Sequence, residues 1–413
     1  MSAGEASGDR LAAGLVREIR IQNPEWRVCG IGSRFMREAG LELLLDVTHT
    51  SAIGISESLR VLPSALAAIR QAKRLLKRVR PDVFVAVDCQ GMNLILAKTA
   101  RKFGARIVYF IPPQNFLWND IRHGRKTAAR VDLFLNIYTS GHDFYKALGG
   151  KSVYCGHPLL DIASREAREV RTTEGARGGA KRSGNRRKTV ALIAGARKNE
   201  LRRFIPLLAE SAAHIRERCP HVRFITPVTG PEHEQELLEG FARRGIEVTA
   251  LPGEGIFAQA DAAVIKSGTM ALEAAFALCP YAIFYRISAL SWFIMARLWG
   301  LRKKIRYISL PNILSRKELA REFIQDEARP DSIAEEIIMF ITDKKEAQKR
   351  AALLQSFCQE MARENRGAQS FDARSAHAGE PDAGRRAAAR KLLSPSVRAS
   401  RAISEFIAEE FKN

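Results

Sequence analysis

Short runs of β-branched and aromatic residues alternate with helical patterns along most of this chain, and this alternation constrains the fold more than any other feature. Each run is followed by a stretch long enough to form a crossover helix, which is typical of a parallel sheet with helices on both faces. The early runs are RVCGIG near Val28, PDVFVAVD near Val83, ARIVYFI near Val108, DLFLNI near Leu133 and SVYCG near Val153. The sequence therefore predicts an α/β fold.

A second series of such runs begins after a basic segment. Residues 164–188 contain many arginines and almost no large apolar side chain, so this segment is expected to be an unfolded linker or insertion. Beyond it lie KTVALIAG, VRFITPV, EVTAL, AAVIK and YAIFY. A chain of 413 residues is also longer than one hydrophobic core usually serves. We predict two doubly wound Rossmann-like lobes with an interlobe cleft, where ligands would meet the carboxyl ends of the strands.

The same patterns assign the remaining boundaries. The N-terminal lobe is predicted over residues 1–163 and the C-terminal lobe over 189–366. Residues 367–400 are rich in Arg, Ala, Gly and Ser, which predicts a second low-complexity basic insertion. The segment ISEFIAEEF predicts a C-terminal helix within 401–413.

The net charge and the cysteines restrict which partners and which cellular compartment we expect. The net charge of +21 favours anionic partners, although much of the excess lies in the two basic segments. The six cysteines show neither CxxC spacing nor Cys/His pairs, so we expect no disulfide and no metal site. The opening MSAGEASGD has no basic or apolar signal region, and no apolar run reaches the roughly 18 residues of a membrane span. A cytoplasmic location is therefore expected.

Several motifs occur in an order that resembles one enzyme family. They are MSAGEASGDR at 1–10, AIGISES at 52–58, PDVFVAVDCQGMN at 81–93, GHPLLD at 156–161, AGARKNE at 194–200, SGTMALE at 267–273, YR at 285–286 and SLPN at 309–312. Together they resemble the lipid-A-disaccharide synthases, which have the GT-B plan of two lobes. The resemblance covers nearly the whole chain apart from the two basic segments.

Asp88 is the candidate general base, because it ends a predicted strand and so lies at the mouth of the sheet. A carboxylate there can accept the proton of a sugar hydroxyl as that oxygen attacks. Asp88 also matches the first acid of the family's IDxPDFN motif, and a helix-capping aspartate is the alternative. The resemblance further assigns an acceptor side to Gly4, Glu5, Ser7, Asp9, Asn93, Pro112 and Trp118.

The second lobe supplies the candidate donor site. Arg197 in AGARKNE would bind the departing diphosphate through charge-assisted hydrogen bonds, and a solvated surface arginine is the alternative. SGTMALE opens a helix whose N–H groups favour anions, with Glu273 one turn further on for the ribose hydroxyls. The donor residues implied by the resemblance are Arg197, Glu200, Ser267, Gly268, Thr269, Glu273, Tyr285, Arg286 and Asn312.

The chain departs from the family at two places that concern the acceptor lobe. Family members have an apolar strand ahead of AGEASGD, whereas this chain starts at the motif, so the first strand is expected to be missing or nearly so. The second acid of IDxPDFN is replaced by Gly91, so a role once shared by two carboxylates would fall to one.

The resemblance implies an inverting transferase that needs no cofactor. The donor would be UDP-2,3-diacylglucosamine, the acceptor 2,3-diacylglucosamine 1-phosphate (lipid X), and the products a β-1,6-linked disaccharide and UDP. No nucleic acid is expected as a partner, and a homodimer is left open. Two alternatives remain at this point, another GT-B enzyme for UDP-N-acetylhexosamines, and a noncatalytic homologue that binds lipid or nucleic acid.

Both substrates are lipids, so we expect the chain to lie on the inner face of the cytoplasmic membrane without crossing it. An apolar stripe beside a cationic one between Glu57 and Arg80 predicts shallow insertion, and packing on the sheet explains the stripe equally well. The expected membrane contacts are Ile53, Ile55, Leu59, Leu62 and Leu66.

Overall fold

The computed structural model of the protein describes residues 1–46, 55–160, 162, 187–195, 198–228, 230–287, 306–375 and 394–411. The described chain forms two compact units. Unit 1 contains Met1–Asp161 and Ala362–Asn413, and unit 2 contains Ile162–Met361. Most of the predicted basic segment 164–188 lies outside the described residues, as do residues 376–393.

Unit 1 is built on a seven-stranded parallel sheet with the order β3-β2-β1-β4-β5-β6-β7. Its strands are β1 (Ser2–Ala3), β2 (Cys29–Ile31), β3 (Glu42–Leu45), β4 (Val83–Val87), β5 (Arg106–Phe110), β6 (Leu133–Asn136) and β7 (Ser152–Tyr154). Its first helices are α1 (Ala6–Gln22), α2 (Arg34–Glu38), α3 (Ile55–Val79), α4 (Gln90–Arg101), α5 (Ile121–Ala128) and α6 (Thr139–Ala147). The strand order reverses between β1 and β4.

The first strand, expected to be missing or nearly so, is a strand of two residues at the centre of this sheet. Ser2 pairs with Ile31 of β2 on one side, and Ser2 and Ala3 pair with β4 on the other. The backbone of Met1 continues the pairing, because its carbonyl accepts from the Ile31 N–H at 2.9 Å. The turn that follows β1 is thereby held beside the end of β4.

The inner strands β4, β5 and β6 of unit 1 are buried on both faces, as their uninterrupted apolar sequences predict. Phe84, Ala86, Ile107, Tyr109 and Phe134 form a core with side chains of α3 and α4. From α3, Ala68, Ala72 and Leu76 take part in this core. Packing on the sheet therefore accounts for much of the apolar stripe predicted on this helix.

Unit 2 has a six-stranded parallel sheet with the order β10-β9-β8-β11-β12-β13. Its strands are β8 (Thr189–Ile193), β9 (Arg223–Val228), β10 (Thr249–Pro252), β11 (Ala262–Lys266), β12 (Tyr281–Tyr285) and β13 (Glu322–Ile324). Its described helices are α7 (Lys198–Arg218), α8 (Pro231–Ala242), α9 (Met270–Phe276), α10 (Leu310–Ser315), α11 (Pro330–Thr342) and the start of α12 (Lys344–Ser375). Here the order reverses between β8 and β11.

The C-terminal part of the chain is more helical than the sequence indicates. Helix α12 continues to Ser375, so the low-complexity segment predicted from residue 367 begins as helix. The last helix, α13 (Pro395–Glu410), starts six residues before the predicted 401, with the Ser394 side chain capping it. Within unit 1 this helix is anchored by its buried Arg398, whose Nε donates to the carbonyl of Cys155 at 2.6 Å. None of the helices in the described part of the chain is long and apolar enough to cross a membrane.

Candidate active site

The residues predicted for the acceptor side meet where the strand order of unit 1 reverses. Gly4 and Glu5 follow β1, and Asp88 follows the neighbouring strand β4. In open parallel sheets this reversal leaves a crevice at the carboxyl ends of the strands, which is where ligands bind. The topology therefore brings Glu5 and Asp88 to one ligand-binding edge, although they are 83 positions apart in the sequence.

Asp88 is held by its backbone in a left-handed conformation. Its φ is 47°, and that of the next residue, Cys89, is 42°. Aspartate tolerates this region better than most residues. The Asp88 carbonyl accepts from the Tyr109 hydroxyl at 2.8 Å and from Nδ2 of Asn93 at 2.9 Å. These contacts fix the turn after β4, and with it the start of the Asp88 side chain.

The surroundings of Asp88 suit a proton acceptor that works near neutral pH. Asp88 is half-buried, and the loss of solvation raises the pKa of its carboxyl from 3.8 to about 6. The negative charge of Glu5 raises this pKa further. A hydrogen bond from the Cys89 backbone partly opposes both effects. A base whose pKa lies just below the working pH is ionised and still basic enough to take a proton.

A second strained turn follows the next strand. Ile111, directly after β5, has a φ of 59°, which is an outlier for a β-branched residue. Pro112 and Pro113 are buried behind it, and Tyr145 donates to the carbonyl of Pro113 at 2.6 Å. Trp118 lies further along and is 56% exposed. The loop thus has a buried base and an exposed aromatic side chain.

Three of the predicted acceptor-side residues have structural roles instead. Asp9 is fully buried, and its carboxylate accepts from the N–H groups of Ser33 and Phe35 at 2.6 and 2.9 Å, at the start of α2. Gly4 is needed for packing, because a Cβ there would lie 2.6 Å from Sγ of Cys89.

Asn93 is the third of these residues. Its Oδ1 accepts from the Ser2 hydroxyl at 2.8 Å, and its Nδ2 donates to the Val87 carbonyl at 2.8 Å. Asn93 is fully buried and joins β1 to the end of β4. In this structure its side chain therefore stabilises the point where the strand order reverses. The remaining predicted residue of this turn, Ser7, lies in the first turn of α1 and is half-buried.

In unit 2 the predicted donor residues likewise flank the point where the strand order reverses. Gly195 follows β8, and Ser267 follows β11. Between the two loops, Nζ of Lys266 lies 3.0 Å from Oε1 of Glu200, and both side chains are only 11% exposed. Glu200 was predicted to bind the donor, whereas its carboxylate binds Lys266. Arg197, the predicted diphosphate ligand, lies outside the described residues.

The turn after β11 is open, as a phosphate-binding turn requires. Gly268 is exposed, and a Cβ there would meet only the Lys266 carbonyl, at 3.8 Å. Thr269 precedes α9, and its side chain makes no capping hydrogen bond to this helix. Glu273 and Tyr285 are half-buried nearby in the fold, on α9 and at the end of β12.

Asn312 and Arg286, both predicted to line the donor site, anchor loops of unit 2. Asn312 is fully buried, and its amide donates to Oε1 of Glu322 at 2.8 Å and accepts from the Leu319 N–H at 2.7 Å. In this structure Asn312 therefore fastens the segment that leads into β13, and its predicted contact with the donor stays a prediction. Arg286 donates to the carbonyls of Gln325 and Ala328 at 3.2 and 2.6 Å.

Sequence reasoning missed Lys266 and His233. Lys266 ends the otherwise apolar strand AAVIK, and a charge at that position was a usable signal. His233 lies on α8, and its Nε2 donates to the Gly195 carbonyl at 3.1 Å. Nothing local in the sequence marks His233, because its partner is 38 positions away.

Comparisons with known proteins bear on the whole chain. The family model described as lipid-A-disaccharide synthetase matches residues 1–374. The lipid-A-disaccharide synthase of Trichlorobacter lovleyi is 34% identical over 83% of this chain and 87% of its own length. The synthase of Geobacter sulfurreducens is 33% identical, over 85% of this chain and 89% of its own.

Solved structures establish the fold independently. The UDP-GlcNAc 2-epimerase of Neisseria meningitidis, solved with UDP-GlcNAc, superposes with a TM-score of 0.56 over 85% of this chain and 92% of that chain. A UDP-N-acetylglucosamine 2-epimerase from Listeria monocytogenes gives 0.53, over 84% and 89%. At 11% identity both likenesses concern the fold alone, and they confirm the predicted pair of Rossmann-like lobes of the GT-B class.

Proposed function

The chain belongs to the lipid-A-disaccharide synthetase family, and we propose from this premise how its own residues carry out the reaction. It is a glycosyltransferase of lipid A biosynthesis. In our proposal it moves 2,3-diacylglucosamine from UDP onto the hydroxyl of 2,3-diacylglucosamine 1-phosphate. The bond to UDP is α and the new bond is β, so a single in-line displacement with inversion suffices.

Asp88 is the general base of this displacement. It accepts the proton of the acceptor hydroxyl while that oxygen forms its bond to the anomeric carbon, and the bond from that carbon to the diphosphate breaks. The observation that carries this role is the raised pKa of Asp88, about 6, at the point where the strand order of unit 1 reverses. Glu5, whose charge raises this pKa, is the second carboxylate at the same edge.

The departing UDP gains negative charge as its bond breaks, and unit 2 stabilises that charge. Arg197 supplies charge-assisted hydrogen bonds to the diphosphate. Ser267, Gly268 and Thr269 supply hydroxyl and N–H donors at the open turn before α9. Glu273 and Tyr285 hold the nucleoside and sugar, as the family resemblance implies. The open space over Gly268 supports close approach of a phosphate to this backbone.

The reaction is tested by mixing the protein with both lipid substrates in detergent and following the products by mass spectrometry. We expect a tetraacyl disaccharide phosphate and UDP in equal amounts. Arg197→Ala should reduce turnover and weaken UDP binding, because it removes a cation from the diphosphate. Release of UDP without disaccharide, or of neither product, would overturn the proposed transfer.

We also propose that the protein works at the inner face of the cytoplasmic membrane. Exposed Leu66 would insert among the lipids, and the exposed basic side chains of α3 would contact lipid phosphates. These basic residues are Arg70, Lys73, Arg74, Lys77 and Arg78. Ile55, Leu59 and Leu62 belong to the same helix, with side chains outside the described set, and Ile53 lies outside the described residues.

Sedimentation with anionic vesicles tests this surface. Binding should fall as salt rises, and Leu66→Ser should weaken it. The matched control is Leu353→Ser on α12, because Leu353 is 38% exposed and Leu66 is 41% exposed. Equal loss of binding in both variants would refute the assignment to α3. A homodimer also stays a prediction, and light scattering in detergent measures it.

A further inference from the structure

The buried ion pair between Lys266 and Glu200 joins the two loops to which the donor site is assigned. Glu200 lies in the first turn of α7, just after the loop that carries Arg197, and Lys266 is the last residue of β11, just before Ser267. Their side chains meet at 3.0 Å across the reversal point between β8 and β11. The pair therefore spans the crevice in which this sheet is expected to bind its ligand.

The loop after β8 is fastened at Gly195 from two directions. Gly195 has a φ of 106°, and a Cβ there would lie only 2.2 Å from Oε2 of Glu200, so this carboxylate packs directly against the glycine. On the other side, Nε2 of His233 donates to the Gly195 carbonyl at 3.1 Å. The backbone that leads into Arg197 is thus held by an acid from α7 and a histidine from α8.

A purely structural tie between these strands exists elsewhere in the same sheet. At the opposite end, Nζ of Lys188, which precedes β8, lies 3.6 Å from Oδ1 of Asp261, which precedes β11. The Asp261 carboxylate also accepts from the Thr189 N–H at 2.8 Å. That pair links the amino ends of the strands, where no ligand is expected. The pair at the carboxyl ends is the more buried of the two.

We propose that Lys266 and Glu200, with His233, are positioning residues that hold the backbone at Gly195 and the Ser267–Thr269 turn at the spacing required to bind one diphosphate. The inference rests on the proposed donor site in unit 2. Removal of Lys266 leaves both segments present but free to separate, and it takes away the positive charge that lies 3.0 Å from the Glu200 carboxylate. Affinity for a nucleoside diphosphate should therefore fall more than affinity for the nucleoside part.

The test is UDP binding by calorimetry, together with the disaccharide assay, on the full-length protein. Lys266→Met should weaken UDP binding roughly 10- to 100-fold, the range of one lost charged hydrogen bond. It should raise KM for the UDP donor more than it lowers kcat. Lys266→Arg should restore most of the affinity, because it keeps the charge and the contact with Glu200.

Lys188→Met is the matched control, since it cuts an ion pair between the same two strands at their other end. It should leave UDP affinity within about twofold of wild type, like other exposed pairs. Thermal melts separate folding from positioning, and the double variant Lys266→Met with Glu200→Gln removes both charges of the pair if the single variant does not fold. Unchanged UDP affinity in a folded Lys266→Met, or equal losses in both methionine variants, would overturn the inference.

Failure of the inference can be told from failure of the proposed function. If wild-type protein forms no disaccharide, the proposed function fails whatever Lys266 does. If wild type forms product and binds UDP while folded Lys266→Met does both equally well, only the positioning role fails.

Discussion

Replacing Asp88 by asparagine should stabilise the protein at neutral pH while removing its activity. The pKa of Asp88 is raised from 3.8 to about 6 in the folded state, mainly by burial. Ionising this group therefore costs more in the folded chain than in the unfolded one. The folded state is not penalised at low pH, where the carboxyl is neutral. The free energy of unfolding then decreases as the pH rises from about 3.8 through the folded pKa of about 6.

The size of the effect follows from the two pKa values. From 3.8 and about 6, the penalty of the ionised group is about 3 kcal/mol at pH 7.5 and about 0.6 kcal/mol at pH 4. Asp88→Asn is neutral at both values. The variant should thus gain up to about 3 kcal/mol over wild type at pH 7.5 and very little at pH 4.

Urea unfolding at the two pH values measures this difference. Glu5→Gln is the companion variant, because the Glu5 charge is a named cause of the raised pKa and its removal should recover part of the same gain. If Asp88→Asn were destabilising at pH 7.5 and neutral at pH 4, the folded chain would stabilise the carboxylate. The reasoning from burial would then be wrong.

Three further predictions follow from the same geometry. The rate of transfer, kcat/KM, should rise with pH through an apparent pKa near 6 and level off above it, because the base must be ionised; a pH–rate series that is flat between 5 and 8 would contradict this. Asn312→Ala should lower the free energy of unfolding in urea by about 3 kcal/mol, because it leaves the buried groups that Asn312 contacts without a hydrogen bond. The UDP affinity of this variant in calorimetry should be unchanged. Gly268→Ala should keep the thermal midpoint, because a Cβ meets only one atom at 3.8 Å, but should weaken UDP binding about tenfold if a phosphate packs on that turn.

Much of the fold could be predicted from the sequence, because buried parallel strands are continuous apolar runs. The helix predicted at Glu57–Arg80 is α3, Ile55–Val79, and the predicted runs correspond to strands in both sheets. Two strands were not predicted, β3 (Glu42–Leu45) and β13 (Glu322–Ile324), and each lies at one edge of its sheet. Strands of three or four residues give too short a pattern to be assigned unless they lie in a longer apolar run, as the edge strand β7 does in SVYCG.

The candidate site was predictable by position and much less by role. Asp88 could be assigned because a strand end and its carboxylate are adjacent in sequence. The structural contacts of Asn93 and Asn312 could not be predicted, because partners distant in the chain decide what a buried amide does, as with Ser2, 91 positions from Asn93. The relatives at 33–34% identity decide between the rival functions, since the epimerases share the fold at only 11%.

The most direct test of the catalytic role of Asp88 is the rate of disaccharide formation by Asp88→Asn at saturating concentrations of both lipid substrates. Loss of a general base should lower kcat by about 10²- to 10⁴-fold, while calorimetry finds UDP affinity within about twofold of wild type because the donor site is untouched. A folded Asp88→Asn that forms disaccharide at a rate close to wild type would contradict the account.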